Sequence, residues 1–476
     1  MSVADTFGFD TVFAIPVVQV NQEIIRRKSS PKTMDYKSQD GLASVSGTFG
    51  DWQICRGGDG PNIQLQLPIS SLTATVPVGK KQVTATCDQL TAVIQIKLQY
   101  LDHENPQSNG GTPLPQKKLV VRDTSEDTSD PVATVLPLNL SQSKATSSVG
   151  FVSPADVLQG VIEDWCNANL SDFGHIFAIV DINEQIDHGQ FAFCKPRITD
   201  YAYINRDSLD DSILGVLCMT ASSDDPKPNI QQISEFAIPD GAKSGFLISP
   251  KRVLSDLMLP YFEHVWPGCS TGDFEFVEDG LALSLIDGHT ISIPKIAAND
   301  KSYDGTMSRL KVSVEVDMLK FESYTTTSLS QGITAYCDAV HWYFISLNTD
   351  KQTLEFSQAK TPTETHGVEE SKSLQDAEFW TTLALGVSAV LITLLTAGTG
   401  ALVAATVLGL GGVAMEAIIK GIEAGGNDDA PPIDMLAYNA TSPIQWTDGQ
   451  VFKLTSAALN GCLQLGGNFD ADKPAL

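Results

Sequence analysis

The chain has 476 residues, enough for roughly two to four domains of ordinary size, and its 42% hydrophobic content is normal for a water-soluble globular protein. It carries 57 acidic against 31 basic side chains, a net charge of −26. That field repels nucleic acid and anionic bilayers at long range, which argues against a nucleic-acid partner. Any lipid activity must then rest on apolar contact or on a local basic patch.

The N-terminal stretch MSVADTFGFD has neither the basic nor the apolar region of a secretory signal. The expected location is cytoplasmic, or export without a signal peptide. In VFAIPVVQVNQEIIRRKSS, Phe13, Val17, Val20 and Ile24 fall at helical spacing. Pro16 suits a first helical position, and Arg26, Arg27 and Lys28 suit the negative end of the helix dipole. A helix is expected over about residues 16–28. The glycines Gly57, Gly58 and Gly60 around Asp59 mark a turn, after which Ile63, Leu65, Leu67 and Ile69 alternate as in a half-buried strand. TAVIQIKLQYL alternates likewise. Residues 102–131 are polar and rich in Pro, Gly and Ser, as in a long loop or mobile hairpin tip.

A second helix is expected from Ser153 as N-cap and Pro154 at the first helical position, with Asp156 in the first turn. Its apolar stripe is Val157, Leu158, Val161, Ile162 and Trp165. The same device, S-P-x-x-V-L, recurs at Ser249–Leu254, and Pro260 is expected to kink or divide that helix. The intervening and following segments alternate as strands. They include RLKVSVEVDMLKFESYTTTSL and AYCDAVHWYFISLNTDKQTLEFSQ, the latter read as two strands joined around residues 348–351. Few helices and long antiparallel runs make an α+β class. Residues 361–377 read as an acidic linker. From Phe379 to Met415 the chain has no charged residue or histidine, and Gly398 and Gly400 divide the run into two arms. A helical hairpin is expected. Three readings compete for it: burial in a soluble fold, a membrane-spanning hairpin, and a conditional segment released onto a membrane. The flanking Glu378 and Glu416, with no Lys or Arg anchors, favour burial over spanning.

The sequence holds no GxSxG, HExxH, GxxxxGK[ST] or GxGxxG. VGKK at residues 78–81 lacks the glycine and hydroxyl residue of a phosphate loop. The eight cysteines have no CxxC spacing and read as small buried hydrophobes. His175 and His341 sit inside apolar strands and read as hydrogen-bonded histidines in or beside a core. Catalytic residues, metal ligands and cofactors are therefore expected to be absent. Two basic clusters are visible, IIRRK at 24–28 and QKKLVVR at 116–122.

Five blocks resemble a known family: TVFAIPVVQVN, GTFGDWQICRGGDGPNIQLQLPI, FGHIFAIVDIN, GFLISPKRVLSDLMLP and SPIQWTDGQVFKLTSAALNGCLQL. It is the clostridial neurotoxin-cluster protein of about forty-seven kilodaltons, with its OrfX relatives, and the resemblance spans nearly the whole chain. The family is similar to the tubular lipid-binding (TULIP) superfamily. The resemblance implies long, highly curved antiparallel sheets wrapped around long helices, with an apolar channel between them. It also implies two modules. Residues 1–148 would form the first, completed by 370–476, where the apolar hairpin and C-terminal strands close it. Residues 149–369 would form the second. Channel-facing positions would be Val17, Val20, Ile24, Val157, Val161, Leu254 and Leu257. The function implied is a non-enzymatic lipid-binding or accessory role in a toxin gene cluster, with a lipid or fatty acid as ligand. Two alternatives stand beside it. One is a component with a closed core that assembles with sibling TULIP-like proteins. The other is a membrane-active insecticidal protein using the hairpin, which adds conditional membrane contact.

Overall fold

The computed structural model describes residues 3–369 and 444–470, apart from 39, 104–115, 124–131, 182–191, 221–222, 261, 263–265, 267, 299–300, 331–332, 350–352 and 447–450. The uncharged segment 379–415, with its expected hairpin, lies outside the described residues. Among the described residues no helix is long and apolar enough to cross a membrane. The architecture is mostly antiparallel β-sheet with few helices.

Alternation sets the longest ladders. The strand Asn62–Val78 pairs with Lys81–Ile96, and Ile63, Leu65 and Leu67 stand opposite Ile96, Ile94 and Ala92 on one buried face. The ladder then skips Ser71 and Asp88. Ser71 takes a left-handed φ of 54°, and Asp88 Oδ1 accepts from the backbone N–H groups of Gln89 and Lys144. Beyond this bulge the buried set resumes in the opposite phase with Leu72 and Ala74.

Three sheets form among the described residues. The largest has thirteen strands and draws on distant parts of the chain. Its middle holds the N-terminal strand Thr11–Pro16, flanked by Ile213–Thr220 and Ser244–Ile248. Ser244–Ile248 in turn pairs with Cys462–Asp470, so both ends of the chain enter one sheet. A four-stranded sheet joins Leu98–His103, Gln116–Val121, Ala178–Asp181 and Ile444–Gln445. The third sheet, of eight strands, is built on the meander Lys301–Glu315, Met318–Ser330 and Ile333–Asn348.

Helix α1, Val17–Arg27, follows its strand without a loop. Phe13 is therefore a strand residue, and Pro16 ends the strand at the N-cap rather than occupying the first helical position. Lys28, at φ 51°, closes the helix by donating its N–H to the carbonyls of Ile24 and Ile25. Helix α2, Pro154–Ala168, starts as its sequence dictates: Ser153 Oγ accepts from the N–H of Asp156. The third helix opens at Pro250–Arg252 with the Ser249 hydroxyl accepting from the Arg252 N–H, then widens to a π-helix over Val253–Met258. The chain stays helical through Pro260. The expected break is replaced by a widened turn just upstream, where the helix absorbs the missing proline N–H. Two further expectations are corrected. Gln116–Val121 is a strand inside the segment read as a loop, and Thr363–Glu369, read as linker, pairs with Ile333–Asn348. Backbone pairing to neighbours supplied what their mixed composition did not signal.

Asn21 locks α1 onto the sheet. Its amide donates to the carbonyl of Ile54 at 2.9 Å and accepts from the Ile54 N–H at 2.7 Å, occupying the edge of Gln53–Gly60 as a strand would. Asn21→Leu leaves both buried backbone groups unpaired. The expected loss is on the order of 2–3 kcal/mol, read as a lower denaturation midpoint at unchanged slope.

Candidate functional site

The apolar faces of the three helices meet in one continuous core. Val17, Val20 and Ile24 of α1, Val157 and Val161 of α2, and Leu254 of the third helix are all buried in it, and Leu257 is half-buried against it. The structure thus brings all seven predicted positions to a single apolar interior. Between α1 and α2 the core is aromatic: Trp52 and Phe173 rings are 4.0 Å apart, and Trp165 lies 4.9 Å from Phe49 and 6.2 Å from Phe173. His175 borders this cluster, with Nδ1 2.9 Å from the Ser29 hydroxyl at the end of α1.

A buried charged node anchors the third helix. Arg252 Nε stands 3.4 Å from Asp10 Oδ1, and its Nη1 stands 3.2 Å from Asp256 Oδ2. The other Asp10 oxygen accepts from the Thr220 N–H at 2.8 Å and from its hydroxyl at 3.1 Å. The Asp10 carbonyl accepts from the Ser249 N–H.

The eight-stranded sheet has a different lining. Along Met318–Ser330 the buried side chains run Leu319, Phe321, Ser323, Thr325, Thr327. Opposite them in Ile333–Asn348 stand Tyr343, His341, Ala339, Cys337 and Ala335. Apolar residues thus give way to small and hydroxyl-bearing ones along one face. The Ser323, Thr325 and Thr327 hydroxyls and His341 Nε2 are buried without a hydrogen-bond partner among the described residues. Four such atoms on adjacent strands are unusual, because buried polar groups are nearly always paired. No charged side chain belongs to the row. Burial draws the His341 imidazole down to about 4, keeping it neutral, and pushes the Cys337 thiol up to about 12. Glu364 and then Asp338 add to the Cys337 shift. The row offers neutral donors and acceptors, a chemistry of binding. Among the described residues no three His, Cys, Asp or Glu side chains are placed to hold a metal.

Of the two histidines expected to be bonded within the core, His175 has its partner and His341 lacks one at Nε2. Sequence reading missed Ser323, Thr325 and Thr327. Their period-two spacing was visible, but nothing in ESYTTTS tells which parity faces inward.

The fold and its apolar interior place the chain among β-rich proteins of two or more large antiparallel sheets closed by a few amphipathic helices. The family model "OrfX-like: Protein OrfX2/OrfX3/P47" matches residues 6–467, and the chain belongs to that family. It is 33% identical to "Protein OrfX3" of Paraclostridium bifermentans, covering 97% of this chain and 98% of the relative. It is 31% identical to "Protein OrfX3" of Clostridium botulinum (strain Kyoto / Type A2), with the same coverage. The fold is similar to that of P47 from Clostridium botulinum A2, with TM-score 0.61 and 16% identity over 98% of each chain. It is also similar to P47 of Clostridium botulinum E1, with TM-score 0.61 and 14% identity, covering 97% of this chain and 99% of that one.

Two predictions come from the buried polar groups. Arg252→Met strands the Asp10 and Asp256 carboxylates and is expected to cost about 3–5 kcal/mol in chemical denaturation. Pairing it with Asp10→Asn recovers part of that loss. The second concerns pH. His175 is held at about 3, by burial first and the Arg27 charge second, and His341 at about 4, against 6.5 when unfolded. The unfolded chain then binds protons that the fold refuses, so stability falls as pH drops below 6.5. Each histidine contributes about 1.4 kcal/mol per pH unit until its folded value is reached. His341→Phe is expected to flatten the slope of stability against pH between about 6 and 4.

Proposed function

We propose that this chain is a non-enzymatic accessory protein of a bacterial toxin gene cluster, holding an acyl-chain ligand between its helices and TULIP-like curved sheets. The toxin-cluster assignment rests on family membership and on the resemblance of its sequence blocks to neurotoxin-cluster proteins. One observation carries the ligand: the row of unpartnered Ser323, Thr325, Thr327 and His341 atoms on a face that continues from Leu319 and Phe321. An apolar wall that turns into neutral hydrogen-bonding groups suits a molecule with an apolar chain and an uncharged polar end. Each buried methylene contributes about 0.8 kcal/mol, so a long chain needs no charged contact to stay bound. Val17, Val20, Ile24, Val157, Val161, Leu254 and Leu257 are proposed as the apolar positions of this interior. The near-complete burial of all of these but Leu257 also supports a second reading, a closed core whose partners are sibling cluster proteins.

The test is organic extraction of protein purified without detergent, followed by mass spectrometry. A stoichiometric acyl lipid is the expected result. Its absence from soluble, monodisperse protein sinks the ligand reading and leaves the closed-core one. Thr325→Val with Thr327→Val separates the two further. It is expected to reduce copurifying lipid while stabilising the stripped protein by on the order of 1 kcal/mol per hydroxyl removed.

A further inference from the structure

The eight-stranded sheet, the C-terminal hairpin and the N-terminal segment meet at one corner. Val316 sits in the tight turn between Lys301–Glu315 and Met318–Ser330, where Glu315 pairs with Met318. Its carbonyl accepts from the N–H of Gly461, in the turn between Val451–Asn460 and Cys462–Asp470. That turn lies on Val3: a Cβ on Gly461 would stand 2.1 Å from Val3 Cγ1, and Ala4 donates its N–H to the Asn460 carbonyl. On the other side the Leu281 carbonyl accepts from the Val314 N–H. Leu281 leads into the strand Ala282–Leu285, which pairs with Phe274–Val277 so that Phe276 stands opposite Leu283. Val3, Phe276, Leu281 and Val316, from four separate segments, are thereby gathered in one place.

All four are open to solvent: Val3 is 39% exposed, Phe276 37%, Leu281 48% and Val316 42%. The buried apolar rows of the sheet run out here, from Val312 through half-buried Val314 to Val316, and from Leu283 to Leu281. The backbone is costly as well. Six non-glycine residues among those described have a left-handed φ, and three stand in these turns: Glu278 and Asp279 at 54° each and Val316 at 52°. Of the others, Lys28 ends α1, Ser71 makes the bulge of the longest hairpin, and Phe7 turns the chain into its first strand. A β-branched residue is a genuine outlier in this region, and glycine or asparagine would hold the turn at less strain. The turn EVDM at 315–318 gives up stability and exposes a valine, and strain of this kind collects at binding sites. The rim is acidic. Lys311 is answered by Glu278, Lys320 by Glu315 and Glu322, and Lys251, which lies against Gly280, by Asp225. Asp5, Glu275, Asp279 and Asp317 are left without a cation among the described residues.

We propose that this corner is the docking surface for a cationic polypeptide segment, whose apolar side chains cover Val3, Phe276, Leu281 and Val316 and whose lysines or arginines meet the unpaired acids of the rim. An apolar centre inside a polar rim is the anatomy of a protein interface. The sign of the rim selects the partner, because it repels nucleic acid and anionic lipid alike. A second copy of this chain would set acid against acid, since a two-fold contact brings the same patch to itself. Covering the patch also returns something for the strained turns, which displays an apolar side chain that water does not favour. The proposal holds whether or not the interior carries a ligand.

The test is calorimetric titration of the full chain with a synthetic helical peptide of leucine and lysine, and with the same peptide carrying serine for each leucine. Saturable one-to-one binding of the leucine peptide is expected, weakening as salt is raised. The serine peptide is expected to bind at least about tenfold more weakly, since it buries no apolar side chain. Leu281→Ser is expected to weaken the leucine peptide about tenfold. Val316→Gly is expected to weaken it several-fold while the denaturation midpoint stays the same or rises, because glycine takes the left-handed φ without strain. A role in the fold alone would not lower binding at an undiminished midpoint. Glu275→Gln with Asp279→Asn is expected to flatten the salt dependence. Phe151→Ser, beyond the opposite edge of the large sheet, is expected to change nothing. Near-ultraviolet circular dichroism checks the fold, and Val3→Ser stands in should Leu281→Ser misfold. The proposal is overturned if the leucine peptide does not bind, if the serine peptide binds as tightly, if the corner variants bind like the unaltered chain, or if Phe151→Ser loses as much as they do. Self-association of the chain that Leu281→Ser abolishes overturns it in favour of a second copy.

Discussion

The buried carboxylate of Asp10 is where the parts of this molecule are joined. It stands at the entry to the strand Thr11–Pro16, in the middle of the large sheet. One oxygen is taken by Thr220 on the neighbouring strand, the other faces Arg252 on the third helix, and the backbone carbonyl accepts from Ser249 at that helix's N-cap. A charge this deep is tolerated only where it is paired and hydrogen-bonded. The need to satisfy it brings together a strand from the N-terminus, a strand from residues 213–220 and a helix from residues 250–258. Non-local strand pairing on either side follows the same arrangement, with Cys462–Asp470 completing it from the far end of the chain.

Around this node the interior divides by chemistry. Towards the helices it is apolar and aromatic, and Asn21 makes α1 a substitute strand by pairing with the backbone of Ile54. In the eight-stranded sheet, the same inward alternation passes from Leu319 and Phe321 into hydroxyls, small side chains and a neutral histidine. Close packing alone does not account for that passage, because hydroxyls placed in a core without partners cost stability that valine would not.

Much of this was legible along the chain. The N-cap pairs Ser153–Pro154 and Ser249–Pro250 announced two helices because the cap hydrogen bond and the proline φ are local matters. Alternation announced the strands around Ile63–Ile69 because one face of each had to be buried. The stripes on α1, α2 and the third helix pointed to a shared interior for the same reason. Segments with weaker patterns were misread. Gln116–Val121 carries three charged or amide side chains at its start, and Thr363–Glu369 has no buried alternation, yet both are strands because a neighbour offers hydrogen bonds. The bulge at Ser71 could not be seen either, since a change of phase in two strands at once is a property of the pair.

Composition, periodicity and capping chemistry by themselves determined long antiparallel strands with few helices, the helix starts at Ser153 and Ser249, and an acidic chain with a large apolar interior. These depend on residues within a few positions of each other. Tertiary structure alone decided two things: that Asp10, Thr220 and Arg252 share one node, and that Ser323, Thr325, Thr327 and His341 face inward together. Each depends on strand register and sheet order between distant segments, and a single residue of slip would send Ser323, Thr325, Thr327 and His341 to the opposite face.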